Sequence, residues 1–187
     1  MTAKSRTILA FDPGKTNMAY AIHKKTGKKI EVLEFGMFKN TITDLKPHNL
    51  KDTVKDFNKA VVSLIKKYSV EEVSMERFIS RGLLGSLAEY ICIMQGIIAI
   101  NKRIKIFNLV AAATWKNSFN KNYDLKQFYK DAKENGIIVH EVDAILIGIY
   151  YMDKSLFVKF SSDRFRKQFL RKLKNVPSTW GTFYSPV

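Results

Sequence analysis

The stretch ILAFDPGKTNMAYAI, residues 8–22, decides how this chain is read. Apolar residues run from Ile8 to Phe11 straight into Asp12, Pro13 and Gly14 turn the chain, and a second apolar run follows from Met18. A buried strand that ends on a carboxylate and turns straight back has two readings. Aspartate before Pro-Gly is a good turn former. A strand end is also the rigid place from which a carboxylate is best aimed at a ligand.

Working outward, residues 6–12, 17–24 and 29–38 read as three strands of a meander, with Gly27 at the tip of KKTGKK. Val54, Phe57, Val61, Leu64 and Ile65 recur at helical spacing and predict an amphipathic helix over 50–68. Val70 to Glu76 reads as a strand, 82–101 as a long apolar helix and 103–109 as a strand. Residues 114–119 read as a short turn or helix. A helix over 124–135 is closed by Gly136, and another covers 140–153. A meander followed by helix-linked strands implies an α/β fold, a mixed sheet with helices on its faces.

The chain has 187 residues, suited to one domain, and 46% are hydrophobic, enough for a sizeable core. Lys and Arg number 32 against 17 acids, a net charge of +15 that favours a polyanionic partner, nucleic acid first. The single cysteine, Cys92, excludes an intramolecular disulfide, fits a reducing compartment and reads as a core residue. No signal peptide is evident. Residues 83–100 approach membrane-span length, but Glu89 and Gln95 make a buried central helix the better reading, with no membrane partner.

Three acids stand at element ends. Asp12 closes the first strand, Glu76 closes the fourth, and Asp143 lies one turn into the last core helix. In open α/β sheets ligands bind beyond the C-terminal strand ends. If the first and fourth strands are neighbours, Asp12 and Glu76 sit side by side there. His140 and Asp143, three apart on a helix, share a face. Crowded carboxylates repel, a cost that a divalent cation removes, and oxygen ligands suit Mg²⁺ or Mn²⁺. Two ions about 4 Å apart would serve phosphodiester hydrolysis. Taken singly, Asp12 also reads as a turn residue, Glu76 as a surface charge and Asp143 as a helix N-terminal acid. Glu141 points about 100° away from His140 and reads as peripheral.

FDPGKTNMAYAI, SMERF and HEVDA, in this order and at these separations, resemble the RuvC-type Holliday junction resolvases of the RNase H-like nucleases, over residues 7 to about 153. The resemblance implies a five-stranded sheet in order 3-2-1-4-5, a homodimer, and two-metal hydrolysis by Mg²⁺, with Mn²⁺ able to substitute, that nicks four-way DNA junctions symmetrically. It implies that Asp12 bridges both metals, that Glu76 and Asp143 are ligands, and that His140 stands where other members carry Asp or His. Lys116 and Lys126 fall near lysines that approach the scissile phosphate. Phe78 is the nearest match to an aromatic wedge, with Arg77 and Arg81 around it and Lys15 beside Asp12 as further DNA contacts. The segment ISRGLLGS, with Gly82 and Gly85, reads as the loop carrying that wedge; alternatively Gly85 and Gly96 let the long helix pack closely on a dimer mate.

The nuclease domain is expected over 1–155 and a basic extension over 156–187. There Phe165, Phe169, Leu170 and Leu173 form an apolar stripe, Ser162 or Asp163 caps the helix, and Arg164, Arg166, Lys167 and Arg171 face a DNA arm. Packing against a dimer mate alone is the alternative. Rival functions are a hybrid or flap nuclease with the same acids, or a non-catalytic junction-binding protein. The hairpin is also similar to that of actin-like ATPases, which need two such domains in a longer chain. The expected setting is the cytoplasm of a bacterial or phage-infected cell, or another reducing compartment that contains DNA.

Overall fold

The computed structural model describes residues 5–14, 17–39, 47–78 and 86–180. Strands β1 (Ser5–Asp12), β2 (Asn17–Thr26) and β3 (Lys29–Lys39) form the antiparallel meander, and Gly27 turns β2 into β3 at a φ of 58° that favours glycine. Helix α1 (Pro47–Tyr68) leads to β4 (Glu72–Arg77) and α2 (Ser86–Ala99) leads to β5 (Ile106–Ala111). β4 pairs parallel with β1, and β5 with β4. The mixed sheet therefore has the expected 3-2-1-4-5 order, lengthened by a strand not foreseen: β6 (Ser178–Trp180) of the extension runs parallel to β3. Three residues are too short for a side-chain alternation, so only the backbone announces this strand.

Strand alternation assigns each face its cover. Leu9, Phe11, Tyr20, Ile22, Val73 and Met75 form one core with α1 and α2. Small residues Ala10, Ala19 and Ala21 face the other way and let α5 (Val139–Asp153) lie close to the sheet. Almost every side chain of α5 from Glu141 to Ile149 is buried. Gly148 makes room for the His23 ring, whose Nε2 lies 3.0 Å from the Ile145 carbonyl oxygen.

Short α3 (Ala112–Asn120) is a full helix, and α4 (Leu125–Glu134) is capped by Asp124 and ended by Gly136 at φ 78°. A 3-10 segment (Lys154–Ser161) and α6 (Asp163–Lys174) complete the chain's second layer. Ser162, not Asp163, caps α6. Phe157, Phe160, Leu170 and Leu173 are buried in the α5-side core, so the extension packs on its own domain.

Two expectations are corrected. The helix read as buried and central has one open face: Cys92, Gly96 and Ile100 are exposed, and Ile100 at 80%. Apolar composition hid this, because a helix rich in Ile has little amphipathic contrast. β5 begins at Ile106 rather than at 103, since a turn from Asn101 to Ile104 precedes it. Residues 114–119 lie within α3, so of the two readings given for them the helix is the one observed. Among the described residues no helix is long and apolar enough to cross a membrane.

Candidate metal centre

Asp12 ends β1 and Glu76 lies one residue before the end of β4. These strands are parallel neighbours, so both carboxylates reach the same sheet edge. Helix α5 enters from above that edge and brings Asp143 with it. Oxygens of Asp12, Glu76 and Asp143 all lie within 4.8 Å of one another. Asp12 and Asp143 are buried, and Glu76 is half-buried.

Each carboxylate is held by a neighbour. Trp115, fully buried on α3, donates its indole N–H to Glu76 Oε2 at 2.8 Å. The Tyr129 hydroxyl on α4 donates to Asp143 Oδ1, and Lys116 Nζ donates to Asp143 Oδ2 at 3.0 Å. His140 Nδ1 lies 2.8 Å from Asp12 Oδ2. Such outer contacts fix the orientation of ligating groups.

Burial raises the Glu76 pKa, aided by the Asp12 and Asp143 charges and opposed by the Trp115 bond. Burial likewise raises Asp143, with Asp12 adding to the effect while Tyr129 and Lys116 oppose it. For Lys116 burial alone would lower the pKa, but Asp143, Glu76 and Asp12 together raise it, so the ammonium stays charged. The hydrogen bond to Asp12 raises His140. Three converging carboxylates against one ammonium and one imidazole leave negative charge for a cation to balance. The all-oxygen donor set fits a hard divalent ion.

Of the expected site residues, Asp12, Glu76 and Asp143 meet, with His140 and Lys116 against them. His140 stands beside Asp12, outside the group of three. Lys126 does not join: it is exposed on the first turn of α4, where its backbone N–H bonds Asp124. One turn further along α4, Tyr129 takes the place next to the carboxylates. Sequence reasoning passed over Tyr129 and Trp115; the available signals were the one-turn spacing of Tyr129 from Lys126 and the place of Trp115 next to Lys116. Glu141 is fully buried and accepts from the Ile138 N–H at 3.1 Å and from Ser178 Oγ at 3.4 Å, which makes it a cap of α5.

Of the expected DNA contacts, Arg77, Arg164, Lys167 and Arg171 are exposed. Arg166 is turned inward: it donates to the Phe160 and Ser161 carbonyls and stacks 3.8 Å over the Tyr123 ring, so the structure gives it a packing role in place of the surface one expected. Phe78 is half-buried against the α1–α2 core. Lys15, Arg81, Gly82 and Gly85 lie outside the described residues.

The family model for the crossover junction endodeoxyribonuclease RuvC matches residues 8–118, more than half of the chain. RuvC of Campylobacter hominis is 33% identical over 69 residues, a stretch that covers 37% of this chain and 40% of that protein. The fold is similar to Thermus thermophilus RuvC in complex with Holliday junction substrate, with a TM-score of 0.58 at 16% identity over 80% of this chain and 97% of that one. It is equally similar to the yeast mitochondrial Holliday junction resolvase Ydc2, with a TM-score of 0.58 at 17% identity over 90% of this chain and 86% of that one. The matched stretch spans less than half the length of the curated relatives. Sheet order, carboxylate placement and the family match agree, and this chain belongs to the RuvC family.

Proposed function

We propose that the chain is a metal-dependent endonuclease that resolves four-way DNA junctions by paired, symmetric nicks. The observation that carries this reading is the convergence of Asp12, Glu76 and Asp143 from three elements to within 4.8 Å, in a RuvC-family chain of net charge +15. Asp12, Glu76 and Asp143 would hold the metal, with His140 beside Asp12; a pair of Mg²⁺ ions, or Mn²⁺ in their place, would supply water activation and leaving-group stabilisation. The chain's own residues supply the rest. Trp115 and Tyr129 fix two carboxylates before substrate arrives. Lys116 Nζ, kept cationic beside Asp143, stands where a phosphate at the carboxylates would meet it. Lys126, on the exposed first turn of α4, is a peripheral phosphate contact.

Two centres must act for two symmetric nicks, so the working unit is a homodimer. The open α2 face, with Cys92 and Gly96 and with Ile100 just beyond the helix end, is the surface proposed to meet the second copy. Arg77 extends from the strand end beside Glu76 toward DNA. The exposed Arg164, Lys167 and Arg171 of α6 give the extension a face for a DNA arm. Lys15, Phe78 and Arg81 complete the proposed contacts near the junction centre.

The test is cleavage of a mobile four-way junction with Mg²⁺ or Mn²⁺, beside Asp12→Asn. Paired nicks that vanish in the variant and on chelation are expected. Cutting of a hybrid or flap with no cutting of the junction would remove the junction assignment. Tight junction binding by the native chain without cleavage, in either metal, would favour the non-catalytic reading.

A further inference from the structure

An open groove of about 460 Å³ lies along the free edge of β5. Nine residues line it, including Arg77, Thr114, Tyr151 and Lys154, and none of the nine is an acid. The acids nearest in sequence are committed elsewhere: Glu76 accepts from Trp115 at the candidate metal centre, Glu72 accepts from Arg6 and Tyr151, and Asp153 accepts from Lys25 and Ser155. Among the described residues neither Arg77 nor Lys154 has an ion pair. Two unpaired cations beside the Thr114 hydroxyl, in a lining without an acid, reject a cationic ligand and favour an anion.

The groove is joined to the metal centre through two elements. Arg77 follows Glu76 on β4, and Thr114 precedes Trp115 on α3. At its other end, Lys154 follows α5, eleven residues beyond Asp143, a rise of roughly 16 Å. That length suits a short run of nucleotides on one strand, each advancing about 3.4 Å. We infer that the β5-edge groove is a track for the sugar-phosphate backbone, holding the DNA strand to one side of the position at the carboxylates through Arg77, Thr114 and Lys154. It positions by phosphate contact and reads no sequence.

This inference rests on the proposed action on DNA, and its test separates the two. Binding of a labelled four-way junction, a duplex and a single strand is titrated without divalent metal over a range of salt concentrations. The native chain is compared with Arg77→Gln, Lys154→Gln, the double variant, and Lys59→Gln on the exposed side of α1 as a control. Each groove variant is expected to reduce the salt slope by about 1 and the double by about 2, on whichever DNA forms the native chain binds, while the control keeps the native slope. A double variant with native slope and affinity overturns the groove. A reduced slope on duplex, together with no junction cut by the native chain once Mg²⁺ or Mn²⁺ is added, sustains the groove and removes the junction reading. Failure of the native chain to bind any of the three DNAs overturns both.

Discussion

At the scale of single residues, the centre depends on groups whose chemistry is silent in the sequence. Asp12, Glu76 and Asp143 were legible because each marks an element end, and element ends on one sheet edge must meet. Trp115 and Tyr129 were not, because a tryptophan or tyrosine on a helix reads first as core. Only the packing of α3 and α4 shows their polar atoms aimed at Glu76 and Asp143. Tyr129→Phe keeps its ring and removes one donor, while Trp115→Phe removes its donor together with part of the indole ring system. Both are expected to weaken metal affinity or turnover about 10- to 100-fold with folding intact, measured by metal titration of cleavage. Native activity in Tyr129→Phe would reduce that hydroxyl to a bystander. Lys116→Met is expected to lower the cleavage rate while junction binding changes little, since one buried-side lysine adds little to a surface of net charge +15.

At the scale of elements, the contact of β2 with α5 sets the height of Asp143 over the sheet. A Cβ on Gly148 would stand 2.1 Å from His23 Cε1, far inside contact distance, and the ring is walled in by the helix and strand. Gly148→Ala is therefore expected to cost roughly 1–3 kcal/mol in chemical denaturation. Adding His23→Ala should recover part of that cost; no recovery would mean the clash lies elsewhere. Burial also lowers the His23 pKa to about 4 from 6.5. The unfolded chain therefore takes up a proton that the folded chain refuses. Stability is full above pH 6.5 and falls toward pH 4, by roughly 3 kcal/mol for this one group. His23→Gln, which keeps a donor for the Ile145 carbonyl, should flatten that part of the pH dependence. The sequence showed a histidine in an apolar strand and a glycine in an apolar helix; nothing local says that the two meet.

At the scale of the whole molecule, the sheet order followed from the sequence because a meander and two crossovers leave few arrangements. The role of the extension did not. Read as an accessory arm, it supplies Phe157, Phe160, Leu170 and Leu173 to the core that holds Trp115, Phe119 and Phe128. Its β6 closes the β3 edge, and Ser178 reaches Glu141 at the start of α5. A chain ended after residue 155 is expected to lose cooperative unfolding, since truncating even one fully buried Phe costs about 3–5 kcal/mol. A well-folded, cleaving 1–155 fragment would show that the extension is dispensable. The same dependence bears on synthesis. The three carboxylates sit at positions 12, 76 and 143, and their cover runs on past 170. With ribosomes adding about 5–20 residues per second, the first strand waits several seconds for its last partner. A nascent chain still short of α5 therefore lacks the third carboxylate of the site, so on the proposed function it cannot cut the nucleic acid around it until α5 has been made.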